Sequence, residues 1–204
     1  LPTQATSDGI FLRIKNWLDS VRKDFGENLD LHLIHGKAYL NEDFLTLAHN
    51  INVDDVKNGS IIVNEWFSGK KTAALADFTV GTVDQFLMVA LKQRHLALRH
   101  LGISKKVVII DEVHAYDAYM NQYLSKAIQW MGAYGVPVVL LSATLPEERR
   151  HALVKSYLQG KGMKWNDVSV CCELDTAAYP LMTYSDGNTV KQISRFSDFD
   201  NKNV

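Results

Sequence analysis

Short apolar, β-branched runs alternate along this chain with longer stretches in which apolar residues return every third or fourth position. Runs of the first kind read as strands and stretches of the second kind as helices, so their alternation predicts a parallel sheet covered by helices. Strands are expected near 29–35 (LDLHLIH), 60–66 (SIIVNEW), 77–82 (DFTVGT), 106–112 (KVVIIDE) and 136–144 (VPVVLLSAT). Ile10, Phe11, Ile14, Trp17, Leu18 and Val21 repeat at helical spacing behind Ser7 or Asp8, either of which can cap a helix running through Phe25. Further helices are expected from Asp84 through His100, from Ala118 through Ala133, and over 146–160. In the last of these, Pro146 in the first turn, Glu147 and Glu148 behind it and Gly160 at the end match helix start and stop signals. After about residue 165 the pattern changes to short strands and turns. Pro180, Gly187 and the polar ending SDFDNKNV then predict a linker and the start of a second unit, with fraying over the last residues.

Composition narrows the class without naming it. A chain of 204 residues that is 47% hydrophobic can build one sizeable core, and a formal charge of -1 gives no overall basic field to attract nucleic acid, so any such binding must be local. Cys171 and Cys172 are adjacent and no CxxC pair offers metal-ligand spacing, which fits a reducing, cytoplasmic setting. No apolar run approaches the ~20 residues that span a bilayer, and the first residues lack the pattern of a signal peptide, so no membrane partner is expected. The chain lacks an initiator Met and reads as part of something longer.

The stretch VVIIDEVHAYDAYM (107–120) sets an apolar run against two adjacent carboxylates. Val107 to Ile110 read as a buried central strand. In an open α/β sheet the ligand lies beyond the carboxyl ends of the strands, which is where Asp111 and Glu112 stand. Phosphoryl transfer needs one carboxylate for Mg²⁺ and a group that orients or deprotonates the attacking water, tasks that adjacent acids can divide: Asp111 for the metal, Glu112 for the water. A lone pair of acids would more often be a loop start or a helix cap. A second strand ending in Ser142, Ala143 and Thr144, one crossover length downstream, changes that balance. Two adjacent parallel strands would set a hydroxyl pair beside the carboxylate pair, within reach of His114.

Asp111-Glu112-Val113-His114 and Ser142-Ala143-Thr144 resemble the DExH and SAT motifs of the superfamily 2 helicases. The ordered set LPTQATSDGIFLRI, LIHGKAYL, WFSGKKTAALADFTVGTVDQFLMVAL, DEVHAYDAYM, LLSATLP and AYPLMTY, over residues 1 to about 185, is similar to the CRISPR-associated type I helicase-nuclease family. That resemblance implies a RecA-like, P-loop NTPase-type α/β domain over 1–178, from motif Ia through motif III, and over 179–204 a linker and the start of a second RecA-like domain. It also implies ATP and Mg²⁺ as cofactors, with Asp111, Glu112, His114, Ser142 and Thr144 as catalytic residues, and single-stranded DNA crossing both domains. Within the family the motor is recruited by an RNA-guided CRISPR surveillance complex and feeds foreign DNA to an HD nuclease, in a prokaryotic cytoplasm. Motif Ia maps onto Pro2, Thr3, Gln4, Ala5 and Thr6, and the motif Ib region onto Gly81, Thr82, Asp84 and Gln85. Both are expected to touch the DNA backbone, and turns that open helices can offer phosphate N–H groups and hydroxyls without reading sequence.

A P-loop needs GxxxxGK followed by Ser or Thr, and none occurs. In NEWFSGKKT, Lys71 stands where the hydroxyl should follow Gly69 and Lys70, so SGKK reads as a turn. The fold is therefore expected to lack its P-loop segment, and this chain alone to hydrolyse no ATP efficiently and cut no DNA. KQRHLALRHLGISKK (92–106) holds seven Lys, Arg or His and no acid, but it lies at the end of a parallel layer opposite the crevice, where it reads as a solvated structural stretch complementing a helix dipole. His35 to Lys37 follow a strand and could approach ligand or DNA. Two other readings stay open: a DExH helicase acting on RNA, and a non-catalytic RecA-like module that only binds nucleic acid or a partner.

Overall fold

Residues 4–25, 29–34, 61–62, 73–92, 96–116, 118–170 and 179–194 are described by the structure, a computed structural model. Pro2, Thr3, His35 to Lys37, the SGKK stretch, Asp117, Cys171 and Cys172 lie outside them. Helix α1 (Gln4–Phe25) buries Phe11 and Leu18 against Leu31 and Leu33 of β1 (Leu29–Ile34) and Val80 of β3 (Phe78–Gly81). It starts before Ser7 and Asp8, so neither caps it. Ser7 is fully buried because it is in phase with Phe11, Ile14 and Leu18, whereas Trp17, at the edge of that stripe, is exposed.

Strand β1 pairs in parallel with β2 (Ile61–Ile62) on one side and with β3 on the other, in register from Leu31↔Phe78 to Ile34↔Gly81. A second parallel pair joins β4 (Val108–Ile110) to β5 (Val138–Leu140), Ile110 opposite Leu140. The parallel α/β class expected from the alternation is thus present. Among the described residues, however, the strands fall into three separate sheets and not one continuous sheet.

The expectation of a buried central strand at Val107 to Ile110 needs correction. Ile110 is buried, but Val107 and Ile109 are 61% and 65% exposed, and Val139 and Leu141 share their open face. Alternation along β4 sends Val108 and Ile110 into a cluster with Val113, Tyr116, Leu124 and Ile128, while no described helix covers the other face. The helix expected over Asp84–His100 is also broken, into α2 (Val83–Leu87), a 3₁₀ turn (Met88–Ala90) and α3 (Leu96–Ile103). Leu91 turns extended, and His100 reaches back to the Val89 carbonyl at 3.0 Å, so the backbone folds over itself where helical period alone predicts continuity.

Helices α4 (Ala118–Tyr134) and α5 (Glu147–Gly160) close on each other through two glycines. A Cβ on Gly132 would sit 2.0 Å from the Tyr157 carbonyl oxygen, and one on Gly160 1.9 Å from that of Gln129. Gly160 thus ends the helix as expected and is a packing residue as well. The left-handed turn that follows the helix is made two residues later, where Gly162 takes a φ of 80°.

The basic stretch before β4 is tied into the fold and not merely solvated. Arg99 Nη1 lies 3.4 Å from the Gln85 carbonyl, His100 bonds Val89 and Tyr134, and Lys106 Nζ donates to the Ala74 carbonyl and to Thr79 Oγ1. Burial, the larger influence, pushes the Lys106 ammonium down to about 8 from 10.5, against the pull of the Asp77 carboxylate. Between those values the folded chain holds fewer protons than the unfolded one, so stability rises with pH across that window and the gain is absent below it. The unfolding midpoint should accordingly climb from pH 8 to 10.5 relative to that of Lys106→Met. Parallel profiles for the two proteins would contradict the assignment.

Beyond α5, a 3₁₀ turn (Trp165–Asp167) leads to β6 (Ser169–Val170), which pairs in parallel with β8 (Thr189–Ile193). Strand β8 also pairs antiparallel with β7 (Met182–Asp186). The boundary expected after residue 178 thus falls inside one hydrogen-bonded sheet. Among the described residues, no helix is long and apolar enough to cross a membrane.

Candidate active site

The ends of β4 and β5 are pinned together past their ladder. Leu141 N–H donates to the Ile110 carbonyl at 2.9 Å and Val113 N–H to the Leu141 carbonyl at 3.1 Å, which holds the turn at 111–112 beside the turn at 142–144. The chain makes the first turn by putting Glu112 in the left-handed region, φ 58° and ψ 39°, with its N–H donating to Asp111 Oδ1 at 2.9 Å. A non-glycine residue there costs of order 1 kcal/mol or more and persists only where its surroundings enforce it. A 3₁₀ turn (Val113–Ala115) follows and anchors the loop through fully buried Val113.

His114 bridges the two turns. Its Nε2 lies 3.1 Å from Glu112 Oε2 and its Nδ1 3.1 Å from Ser142 Oγ, while the Ser142 hydroxyl donates to the Thr144 carbonyl at 2.8 Å. Because the one hydroxyl proton of Ser142 is committed to Thr144, Nδ1 must donate to Ser142. The other nitrogen faces the Glu112 carboxylate. The five residues singled out from sequence are brought into one network, which Thr144 enters through its main-chain carbonyl.

Three further residues shape this site and were not found from sequence. Tyr116 is buried and donates from its hydroxyl to the Asp111 carbonyl at 3.0 Å. Burial first, and then the Asp111 carboxylate, push that phenol up to about 12, so it stays a donor at any ordinary pH. Arg149, in the first turn of α5, donates to the carbonyls of Val113 at 2.8 Å and Tyr116 at 3.4 Å, and to Asn121 Oδ1 in the first turn of α4. One sequence signal was available for Arg149: a cation in the first turn of a helix opposes the dipole, so it needs another reason to be there.

The residues expected at the nucleic acid are less uniformly placed. Gly81 ends β3, Thr82 N–H lies 3.4 Å from the Ile34 carbonyl, and Val83 and Leu87 pack α2 into the same cluster as Val113 and Tyr116. Asp84 is near enough to influence the Tyr116 phenol. The turn at 81–85 therefore shares an end of the fold with the carboxylate turn. A Cβ on Gly81 would lie 2.7 Å from the Ile34 carbonyl oxygen, which gives that glycine a packing reason of its own. Thr82 is only 7% exposed and Gln85 Oε1 lies 3.5 Å from Arg99 Nη1, leaving Asp84 as the exposed side chain of the set. Gln4, Ala5 and Thr6 lie inside the first turn of α1 and do not precede it; Thr6 is exposed.

Among the described residues, no group of three or more His, Cys, Asp or Glu could hold a metal ion by itself. The site does suit Mg²⁺, which binds through one or two carboxylates and completes its shell with water and phosphate oxygens. Asp111, partly exposed at the strand end, is the carboxylate in position.

No protein-family model matches the chain. Over all of its length it is 60% identical to 22% of the CRISPR-associated nuclease/helicase Cas3 of Streptococcus thermophilus. The crystal structure of T. fusca Cas3-AMPPNP superposes with a TM-score of 0.77 at 36% identity, covering 94% of this chain and 20% of that one. A chain of a CRISPR RNA-guided surveillance complex, pre-nicking, matches with a TM-score of 0.56 at 30% identity, over 94% of this chain and 21% of that one. The chain thus spans about a fifth of the length of the proteins it matches.

Proposed function

Because this chain belongs, over the share of their length that it spans, to the CRISPR-associated nuclease/helicases, we propose that it forms the metal-and-water half of an ATP-hydrolysing site that drives movement along DNA. The observation that carries this reading is the unbroken path from Glu112 through His114 to Ser142, which joins the ends of two adjacent parallel strands. Bound ATP and Mg²⁺ supply the phosphoryl group and neutralise its charge. Asp111 is the ligand that would hold the metal. Glu112 orients the attacking water and takes its proton, and the contact with His114 makes its readiness depend on where the turn at 142–144 stands. The similarity to a nucleotide-bound Cas3, T. fusca Cas3-AMPPNP, supports nucleotide binding by the full-length protein.

The DNA backbone is touched by Pro2, Thr3, Gln4 and Thr6, and by Gly81, Thr82, Asp84 and Gln85 at the turn beside the carboxylates. With Thr82 buried and Asp84 an acid, contact at the second turn falls to main-chain donors and not to side-chain charge. Single-stranded DNA is the track, an RNA-guided CRISPR surveillance complex the recruiting partner, and an HD nuclease the recipient of the unwound strand, within a prokaryotic cytoplasm. The nuclease in the relative's name and the surveillance complex matched in structure support those partners. Without a P-loop in its sequence, this chain by itself should turn over no ATP beyond the rate of its own Glu112→Gln variant. The proposal as a whole is tested in a full-length nuclease/helicase carrying this segment, by comparing ATPase stimulation by single-stranded DNA and by RNA of the same sequence. DNA should stimulate and RNA should not; preference for RNA would overturn the DNA assignment.

A further inference from the structure

Arg149 makes contacts that its helix does not need. Its guanidinium leaves the first turn of α5 and donates to two carbonyls of the loop that follows the carboxylates, at 2.8 Å to Val113 and 3.4 Å to Tyr116, and to the side chain of Asn121. Those carbonyls flank His114 on both sides in sequence. Tyr116, held through its carbonyl by Arg149, in turn donates from its hydroxyl to the Asp111 carbonyl. Arg149 is thus one residue removed from the strand end that presents the acids.

The placement opposes local electrostatics. Arg149 lies in the turn whose free N–H groups favour anions, and partial burial lowers its pKa. A planar fork of donors is the side chain that can hold several oxygens at once, which a lysine ammonium does with less geometric control.

Ser142 and Arg149 both belong to the segment that leaves β5 and enters α5. Ser142 meets the His114 side chain, and Arg149 grips the backbone before and after His114. We infer that Arg149 is a positioning residue for hydrolysis, a second latch through which movement of the 142–149 segment is imposed on the loop carrying Glu112 and His114. This inference rests on the hydrolytic reading above and adds to it a residue outside both motifs. Arg149 touches no reacting atom; it fixes the loop so that the pair at 112 and 114 keeps its relation to Ser142.

The test uses a full-length nuclease/helicase carrying this segment, with Arg149→Ala, Arg149→Lys, Asn121→Ala and, as reference, Glu112→Gln. In Arg149→Ala the kcat for DNA-stimulated ATP hydrolysis should fall about tenfold, roughly 1.4 kcal/mol of barrier. The KM for ATP, the affinity for single-stranded DNA and the Tm should stay near wild type. Arg149→Lys should recover part of the rate, and Asn121→Ala should lower it in the same direction by less, because Asn121 only steadies the guanidinium. An unchanged kcat in Arg149→Ala overturns the latch. So does a fall in kcat matched by falls in Tm and DNA affinity, which marks a merely structural residue. Glu112→Gln keeps the two failures apart. Hydrolysis that survives that change overturns the hydrolytic reading together with the latch, whereas hydrolysis lost there but intact in Arg149→Ala overturns the latch alone.

Discussion

Glu112→Gln in a full-length nuclease/helicase carrying this segment should lower DNA-stimulated ATP hydrolysis by about 10²- to 10⁴-fold, the range a positioned general base contributes. The replacement is nearly isosteric and Gln can still accept a hydrogen bond from His114 at the position of Oε2, so the loop geometry should survive. What is lost is the capacity to take a proton from water. Nucleotide affinity should therefore hold, or rise if the unreacted complex accumulates, while turnover collapses. Measuring ATP binding and steady-state hydrolysis on the same preparation separates these effects. Hydrolysis within a few-fold of wild type would remove Glu112 from the chemistry.

The second large effect concerns the scaffold. Gly132→Ala and Gly160→Ala should each destabilise the contact between α4 and α5 severely, because the added methyl would meet main-chain oxygen at 2.0 Å and 1.9 Å, and main chain cannot rotate away as a side chain can. The helices must separate, which pulls Tyr157 away from the Val136 carbonyl and loosens the packing of Leu153 and Leu158. Overpacking of a well-filled contact costs about 1–3 kcal/mol and more where backbone must move; at the upper figure Tm drops by roughly 6–12 °C. Gly9→Ala is the control, since a Cβ there has nothing within 4 Å and alanine favours a helix interior. Faster amide exchange in α4 and α5 for the two contact variants, and not for Gly9→Ala, is the expected signature. Comparable stability in all three would mean that the helices are not so close.

Much of the arrangement was legible in the sequence because it depends on chain-local quantities. Strand positions follow from β-branched runs. The adjacency of 111–114 and 142–144 follows from the single crossover that separates them, which in a parallel pair brings strand ends together at one edge. What was not legible depends on where backbone folds back or comes close. Helical period runs through 84–100 although the Val89 carbonyl is used by His100, and nothing in the period announces that partner. Gly160 reads only as a terminator until Gln129 of another helix is seen against it, which gives it a packing role as well. The burial of Val107 and Ile109 was inferred from apolarity, which says what a residue favours and not what lies over it. Arg149 was missed because three acceptors on two elements converge only in space.

The left-handed backbone of Glu112 has a further consequence for how two neighbouring acids can share one site. In an extended strand consecutive side chains leave on opposite faces, so acids at 111 and 112 would diverge, one above the sheet and one below. A single residue with φ 58° cancels that alternation: the N–H of Glu112 folds onto the Asp111 carboxylate while its own carboxylate meets His114 on the way to Ser142. Convergence is thus written into the main chain and not left to rotamer choice, and a more comfortable backbone at this position would place the two acids on opposite sides of the sheet.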